Sequence, residues 1–173
     1  MKSSIILLLI VFASLYGCTP TEPSEDKNLI VNSSFEMNSI PSYQGWQFWS
    51  NVRSSPTFSE DVPPAGGTSS IVLSAGNGIR ENLETKFVVP VGGNRYKLSF
   101  WAKSKGDFGF ALLFFNKSIR MTIPIQDSVW RYYEVTDSLV IEQGDSFGVI
   151  LSSGATYRFS QSYFDLFRLE IVK

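Results

Sequence analysis

From residue 28 onward, the chain alternates apolar and polar residues with a period of two, the spacing of a β-strand with one buried face. Residues 96–103 show the pattern most clearly: Tyr96, Leu98 and Phe100 would share one face, whereas Trp101 would lie on the other face among lysines. No stretch of ten or more residues in this part carries the 3.6-residue period of an amphipathic helix. The pattern therefore restricts residues 28–173 to β-structure.

Turn signals rich in glycine and proline separate these runs, as in Pro63-Pro64-Ala65-Gly66-Gly67 and Gly92-Gly93-Asn94. The runs that we expect to form strands are residues 28–36, 45–52, 69–74, 85–89, 96–103, 108–116, 118–125, 131–141, 146–152 and 163–172. About ten short strands at hairpin spacing predict an all-β fold, an antiparallel β-sandwich or jelly roll. We expect one domain at residues 28–173, with the first and last strands as neighbours in one sheet.

The first 18 residues have the layout of a bacterial secretion signal, in which Lys2 precedes an apolar stretch. The end of that stretch, Leu15-Tyr16-Gly17-Cys18, resembles a lipobox, whose cysteine becomes the first mature residue and carries acyl chains such as palmitate. We therefore predict a signal peptide at residues 1–17, then a lipidated Cys18 and a flexible tether at residues 18–27. Thr19 after the cysteine favours the outer membrane, with surface exposure left open. A plain secretion signal with a chance cysteine is the alternative.

Composition excludes several classes of function. The 173 residues include no histidine and one cysteine, so the usual general base, an internal disulfide and a thiolate cluster are all missing. The 15 Lys and Arg residues balance 16 Asp and Glu residues, which leaves no positive field to attract nucleic acid. Aromatic residues make up 14% of the chain, and this high content is unusual. Their side chains either pack in the core or contact a ligand.

Four groups of residues follow one another along the domain: residues 28–36 with Gly45-Trp46, residues 96–104, residues 130–133 and residues 163–169. Their order resembles that in the family 4/9-type carbohydrate-binding modules, a branch of the galactose-binding-like jelly rolls. The resemblance extends over nearly all of the domain. It implies the same jelly-roll fold and the binding of sugars without catalysis.

Two carboxylates are candidate ligands for a hard cation. Glu36 ends the first expected strand and Asp165 lies near the start of the last, so neighbouring terminal strands would bring them together. Asn32 or Ser34 and backbone carbonyls of residues 66–69 would complete six to eight oxygen ligands. The resemblance implies that this cation is a structural calcium. The alternative is that the two carboxylates are separately solvated.

Sugar rings stack on flat aromatic faces, and their hydroxyls need polar partners. Trp101 and Trp49 are the aromatic candidates, because Trp101 alternates away from the core and Trp46 matches the buried tryptophan of the resembled family. The polar candidates are Arg80, Asn116 and Arg120, with Gln47 and Asn82 as further possibilities. Burial in the core is the competing explanation for each aromatic residue.

These observations predict non-catalytic binding of a polysaccharide or oligosaccharide by a lipid-anchored protein, beside neighbouring glycan-processing or transport proteins. A glycosidase would need two carboxylates across a cleft, and the best-placed pair here, Glu36 and Asp165, is expected to be structural. We therefore expect no enzyme activity. The alternative from another class is a structural or protein-interaction lipoprotein of the cell envelope without sugar affinity.

Overall fold

The computed structural model describes residues 28–52, 54–154 and 159–172. The predicted signal peptide, the lipidated Cys18 and the tether lie outside the described residues. In the part of the chain that the structure describes, no helix is long and apolar enough to cross a membrane.

The structure is all-β and contains twelve strands in the described residues. They are β1 (Glu36–Met37), β2 (Ile40–Pro41), β3 (Gln47–Ser50), β4 (Thr57–Ser59), β5 (Ser70–Gly76), β6 (Ile79–Phe87), β7 (Gly92–Lys105), β8 (Gly109–Phe115), β9 (Ser118–Ile125), β10 (Arg131–Ile141), β11 (Phe147–Ser152) and β12 (Ser160–Val172). The predicted strands at residues 118–125 and 131–141 are confirmed at their exact bounds.

Ten of the strands form two antiparallel sheets that pack face to face. The front sheet has the order β3-β6-β11-β8-β9, and the back sheet has the order β4-β5-β12-β7-β10. The β5–β6 hairpin joins them through the pairs Ala75–Arg80 and Gly76–Ile79. The remaining pair, β1 and β2, is a small separate hairpin. This arrangement is the β-sandwich that the sequence pattern predicts.

The core between the sheets is rich in aromatic rings. Phe100 of β7 stacks on Phe167 of β12 with ring centroids 4.8 Å apart. Phe35 packs against the edge of Phe167 at 6.0 Å and against Trp46 at 5.1 Å, and all four side chains are buried. Ten of the 22 aromatic residues that the structure describes are buried, and Trp46 is the buried tryptophan that we expected.

The expected strand at residues 28–36 is wrong, because residues 29–35 form turns and only Glu36 enters a strand. Asn32 and Phe35 have φ values of +51° and +55°, a left-handed conformation that costs an L-residue about 1–2 kcal/mol. Burial of the whole Phe35 side chain offsets that cost. The short edge strand β4 is absent from the predicted set, and β6 begins six residues before the predicted start at residue 85.

The chain ends are neighbours as expected, although the first segment is not a strand. The Leu29 amide donates to the Leu169 carbonyl at 2.9 Å, and the Phe167 amide donates to the Ser33 carbonyl at 2.8 Å. The first segment thus runs antiparallel to the end of β12, along the edge that β5 leaves open after Phe164. It therefore lies against the edge of the back sheet without forming a strand of it.

Candidate functional site

A row of side chains crosses the outer face of the front sheet. Cross-strand pairing places Trp49 beside Asn82, Asn82 beside Ser152, and Ser152 beside Phe110. Directly paired residues in antiparallel strands point to the same side of the sheet. Alternation along β6 sends Leu83 into the core and Asn82 outward, so these four residues, which we call the front row, face away from the core.

The middle of the front row holds two buried polar side chains without partners. Asn82 is 3% exposed and Ser152 is 2% exposed, and neither the Asn82 Nδ2 nor the Ser152 Oγ has a hydrogen-bond partner among the described residues. An unsatisfied buried polar group costs about 1–3 kcal/mol, so native proteins usually provide a partner for it. A ligand with hydroxyl groups would provide one here.

Aromatic rings lie at both ends of this polar pair. Trp49 is 45% exposed, which fits the expectation that Trp46 is core and Trp49 is surface. Phe110 is half-buried, and its ring contacts the edge of Phe108 at 4.9 Å. In the front row, the amide of Asn82 and the hydroxyl of Ser152 thus lie between the rings of Trp49 and Phe110. This order matches the apolar faces and polar rims of a sugar chain.

The surroundings of the front row are mixed in character. A shallow depression of about 390 Å³ beside it is lined by Gly45, Trp46, Gln47, Glu84, Thr85 and Lys86. Glu84 and Lys86 form an ion pair at 3.2 Å, so their charges offset each other. Arg80 is exposed on the same side of β6 as Asn82. The predicted sugar contacts on this face are therefore Trp49, Arg80, Gln47 and Asn82.

The other predicted sugar contacts lie elsewhere. Trp101 is on the outer face of the back sheet, where its ring lies 5.7 Å from that of Tyr132. Asn116 belongs to the β8–β9 turn, where its Nδ2 donates to Asp145 at 2.7 Å and its Oδ1 accepts from the Ser146 amide at 2.9 Å. These two residues are therefore not brought together with Trp49.

Arg120, the remaining predicted contact, pairs with Asp137 of β10. Its Nε lies 3.3 Å from the Asp137 Oδ2. Ser152 of the front row is absent from the predicted set. Its alternation with Leu151 is visible in the sequence, but its position beside Asn82 depends on the pairing of β6 with β11.

The outer face of the back sheet contains a nearly buried lysine. The Lys103 side chain is 6% exposed, it forms an ion pair with Asp61, and its Nζ lies 4.9 Å from the ring centroids of both Trp130 and Tyr163. The hydrogen bond from Lys103 lowers the pKa of Asp61, assisted by a 3.0 Å bond from the Trp130 Nε1 and opposed by partial burial. Through Asp61, this cluster holds the segment between β4 and β5 against the outer face of the back sheet.

The two predicted cation ligands lie on either side of the Gly66–Gly67 turn. The Glu36 Oε1 accepts hydrogen bonds from the Thr68 and Ser69 amides, and a Cβ added to Gly67 would overlap the Glu36 Oε2. A Cβ added to Gly66 would come within 2.6 Å of the Asp165 Oδ2. Glycine at positions 66 and 67 therefore leaves room for the carboxylates of Asp165 and Glu36 to approach the turn.

Asp165 is fully buried, and only one of its two carboxylate oxygens has a hydrogen-bond partner among the described residues. Its Oδ1 accepts a 2.7 Å hydrogen bond from the Leu166 amide, at a bulge where Leu166 has a φ of +53°. Its Oδ2 accepts none from that part of the chain. Burial raises the pKa of Asp165 to about 7, the Leu166 hydrogen bond opposes the rise, and the nearby Glu36 carboxylate adds to it. Asp165 lies in the middle of β12 rather than near its start.

These residues fit a hard cation. The partnerless Oδ2 of Asp165 and the Oε2 of Glu36 are oxygen ligands of the kind that Ca²⁺ prefers, and backbone carbonyls or waters would have to supply the rest. Within residues 28–52, 54–154 and 159–172, no three His, Cys, Asp or Glu side chains come together as a metal site. A cation here would therefore depend on two carboxylates.

Neither a protein-family model nor a curated protein matches the sequence. Solved structures do match the fold. A family 61 carbohydrate-binding module in complex with β-1,4-galactotriose has a TM-score of 0.63 at 15% identity, covering 84% of this chain and 99% of that one. A family 16 carbohydrate-binding module has a TM-score of 0.62 at 20% identity, covering 83% and 99%.

A putative sugar-binding protein from Bacteroides thetaiotaomicron gives a TM-score of 0.57 at 12% identity, covering 84% of this chain and 100% of the other. A cyclase from Fischerella sp. TAU, bound to an indolyl butanone, gives 0.60 at 16% identity, covering 83% and 96%. The chain thus has the jelly-roll fold seen in carbohydrate-binding modules. Because the fold also occurs in an enzyme, it does not decide the function by itself.

Proposed function

We propose that the protein is a non-catalytic glycan-binding lipoprotein whose sugar site is the front row. The observation that carries this proposal is the pair of buried, partnerless polar atoms on Asn82 and Ser152 between the rings of Trp49 and Phe110. Sugar hydroxyls would pair with both atoms once the side chains that cover them move aside, while the C–H faces of the sugar rings stack on the aromatic side chains. The similarity to modules that bind oligosaccharides supports the same conclusion.

Affinity electrophoresis against a panel of plant, host and microbial polysaccharides tests this proposal. Once a ligand is found, Trp49→Ala and Asn82→Ala each weaken binding about tenfold or more, because each removes a central contact worth at least about 1.4 kcal/mol. Trp101→Ala is the matched control, since it removes the same ring from the opposite sheet. Absence of binding to every glycan, or equal losses in the Trp49 and Trp101 variants, would refute the site.

The anchor is the second part of the proposal. The lipobox-like sequence that ends at Cys18 supports lipidation, and Thr19 supports retention in the bacterial outer membrane. Labelled palmitate should be incorporated into the chain when it is produced in a Gram-negative host, and Cys18→Ser should abolish incorporation. Secretion of an unmodified chain would contradict the anchor without affecting the sugar site.

The third part is a structural calcium held by Glu36 and Asp165. The ion would supply positive charge between two neighbouring carboxylates and tie the Gly66–Gly67 turn to β12. Asp165, Glu36 and the turn all belong to the back-sheet side of the molecule, so the ion would stabilise the fold without touching the sugar. The partnerless Oδ2 of Asp165 is the observation that supports it.

A further inference from the structure

One end of the sandwich presents a small apolar surface. The β6–β7 loop, Val88-Val89-Pro90-Val91, consists only of apolar residues, and Val88 is 96% exposed while Val91 is 67% exposed. Val140 of β10 pairs with Gly93, just past the loop, and is 69% exposed. We call Val88, Val91 and Val140 the valine tip. Soluble surfaces contain single exposed apolar residues, but a consecutive apolar loop at a tip needs an explanation.

The first described residues lie near this same end. Leu29 lies beside Leu169 and Ser33 lies beside Phe167, so from Ser33 back to Leu29 the described chain runs toward the end of β12 at Val172. Val172 pairs with Arg95 of β7, four residues after Val91. The start of the described chain and the valine tip are therefore at one end of the sandwich.

The length of the preceding chain matches this geometry. Nine residues, 19–27, separate the proposed lipid attachment at Cys18 from Asn28, and the ten Cα–Cα steps from Cys18 to Asn28 can span at most about 35 Å. An acyl chain on Cys18 would therefore hold this end of the sandwich, rather than the opposite end, near the bilayer surface.

The front row lies away from the valine tip. Asn82 precedes Phe87, the last residue of β6, by five residues, or about 17 Å of extended strand. Trp49 pairs with Asn82, so it lies equally far from the loop. Contact of the valine tip with lipid would direct the sugar site outward from the membrane.

We propose that the valine tip is a membrane-contact surface that inserts into the interfacial region of the bilayer and orients the anchored domain. This inference rests on the lipid anchor of the proposed function, but not on sugar binding. The acidic β10–β11 turn, with Glu142 and Asp145, neighbours the loop at this end, which favours a zwitterionic lipid surface over an anionic one.

The test uses the full lipidated chain reconstituted in phosphatidylcholine vesicles. Because Cys18 is the only cysteine and is acylated, Val88→Cys introduces a single thiol for an environment-sensitive fluorophore. Val52→Cys is the matched control, since Val52 is 41% exposed beyond the far end of β3, whose Ser50 pairs with Glu81. Spin-labelled lipid then reports contact with the bilayer.

We expect the label at Val88 to shift its emission to the blue and to lose emission with spin-labelled lipid, while the label at Val52 does neither. Equal emission and equal quenching at the two positions would overturn the inference. So would a blue shift at Val88 without quenching, which indicates burial against a second copy of the chain, and so would failure of the chain to float with the vesicles. Sugar binding by the same preparations, measured separately, distinguishes these failures from failure of the front row.

Discussion

Replacing Asp165 with asparagine tests the cation site most directly, because the substitution removes the charge and keeps the shape. The carboxyl of Asp165 is fully buried, its Oδ2 has no hydrogen-bond partner among the described residues, and its pKa is raised from 3.8 to about 7. The folded state therefore favours the protonated carboxyl of Asp165. In the unfolded state the same carboxyl ionises near its ordinary pKa of 3.8.

The sign of the pH dependence follows from this difference. Below about pH 4 both states are protonated, and Asp165 imposes no ionisation penalty. Between about pH 4 and pH 7 the unfolded state loses its proton first, so the free energy of unfolding falls by about 1.4 kcal/mol per pH unit. Above pH 7 the full penalty, on the order of 4 kcal/mol, is present.

Thermal unfolding in chelator at pH 5 and pH 8 measures the effect. From pH 5 to pH 8 the wild-type protein should lose about 3 kcal/mol of stability through Asp165, or roughly 6–12 °C in Tm for a domain of this size. Asp165→Asn should lack this component, so the difference between the two proteins isolates it from other titrating groups.

Calcium should reverse the trend in the wild-type protein. Metal binding requires the ionised carboxylate, so the rise in Tm on adding calcium should be larger at pH 8 than at pH 5 and absent from Asp165→Asn. If wild type and Asp165→Asn show the same pH dependence of Tm in chelator, the pKa of Asp165 is not raised in the folded state. If calcium leaves the Tm of the wild-type protein unchanged at both pH 5 and pH 8, the cation site is refuted.

Three further predictions concern stability. Asp61→Ala leaves the buried ammonium of Lys103 unpaired and should lower the free energy of unfolding in urea by about 2 kcal/mol. The double variant Asp61→Ala with Lys103→Met should recover most of that loss. Equal losses in the single and double variants would contradict the pairing. Gly67→Ala should displace Glu36 and abolish the calcium-dependent rise in Tm, and an undiminished rise would place the ion elsewhere. Phe35→Ala should cost about 3–5 kcal/mol, and a loss below 1 kcal/mol would contradict its place in the core.

Much of the fold follows from local pattern. The period of two in residues 96–103 correctly places Tyr96, Leu98 and Phe100 in the core and Trp101 on the outer face. The three-residue spacing of Trp46 and Trp49 correctly separates a buried ring from an exposed one. Local pattern failed at residues 28–36, where apolar residues enter the core from turns with positive φ rather than from a strand.

The candidate sugar site was only partly visible in the sequence. The sequence-based candidates Trp49, Arg80 and Asn82 all lie on the front sheet. Asn116 instead bonds to Asp145 in a turn, and Arg120 pairs with Asp137. Residue type cannot distinguish an asparagine that holds a turn from one that faces a ligand. That distinction depends on which polar partners the folded chain places within reach.

The sequence by itself determined the all-β class and the inward and outward faces of residues 96–103, because both follow from alternation along single strands. Only the tertiary structure decided which strands became neighbours. The pairing of β6 with β11 brings Asn82 beside Ser152 across seventy residues of chain, and the packing of the first described segment on β12 brings Leu29 beside Leu169. These contacts arise from long-range hydrogen bonding and shared burial, which a local hydrophobic period does not encode.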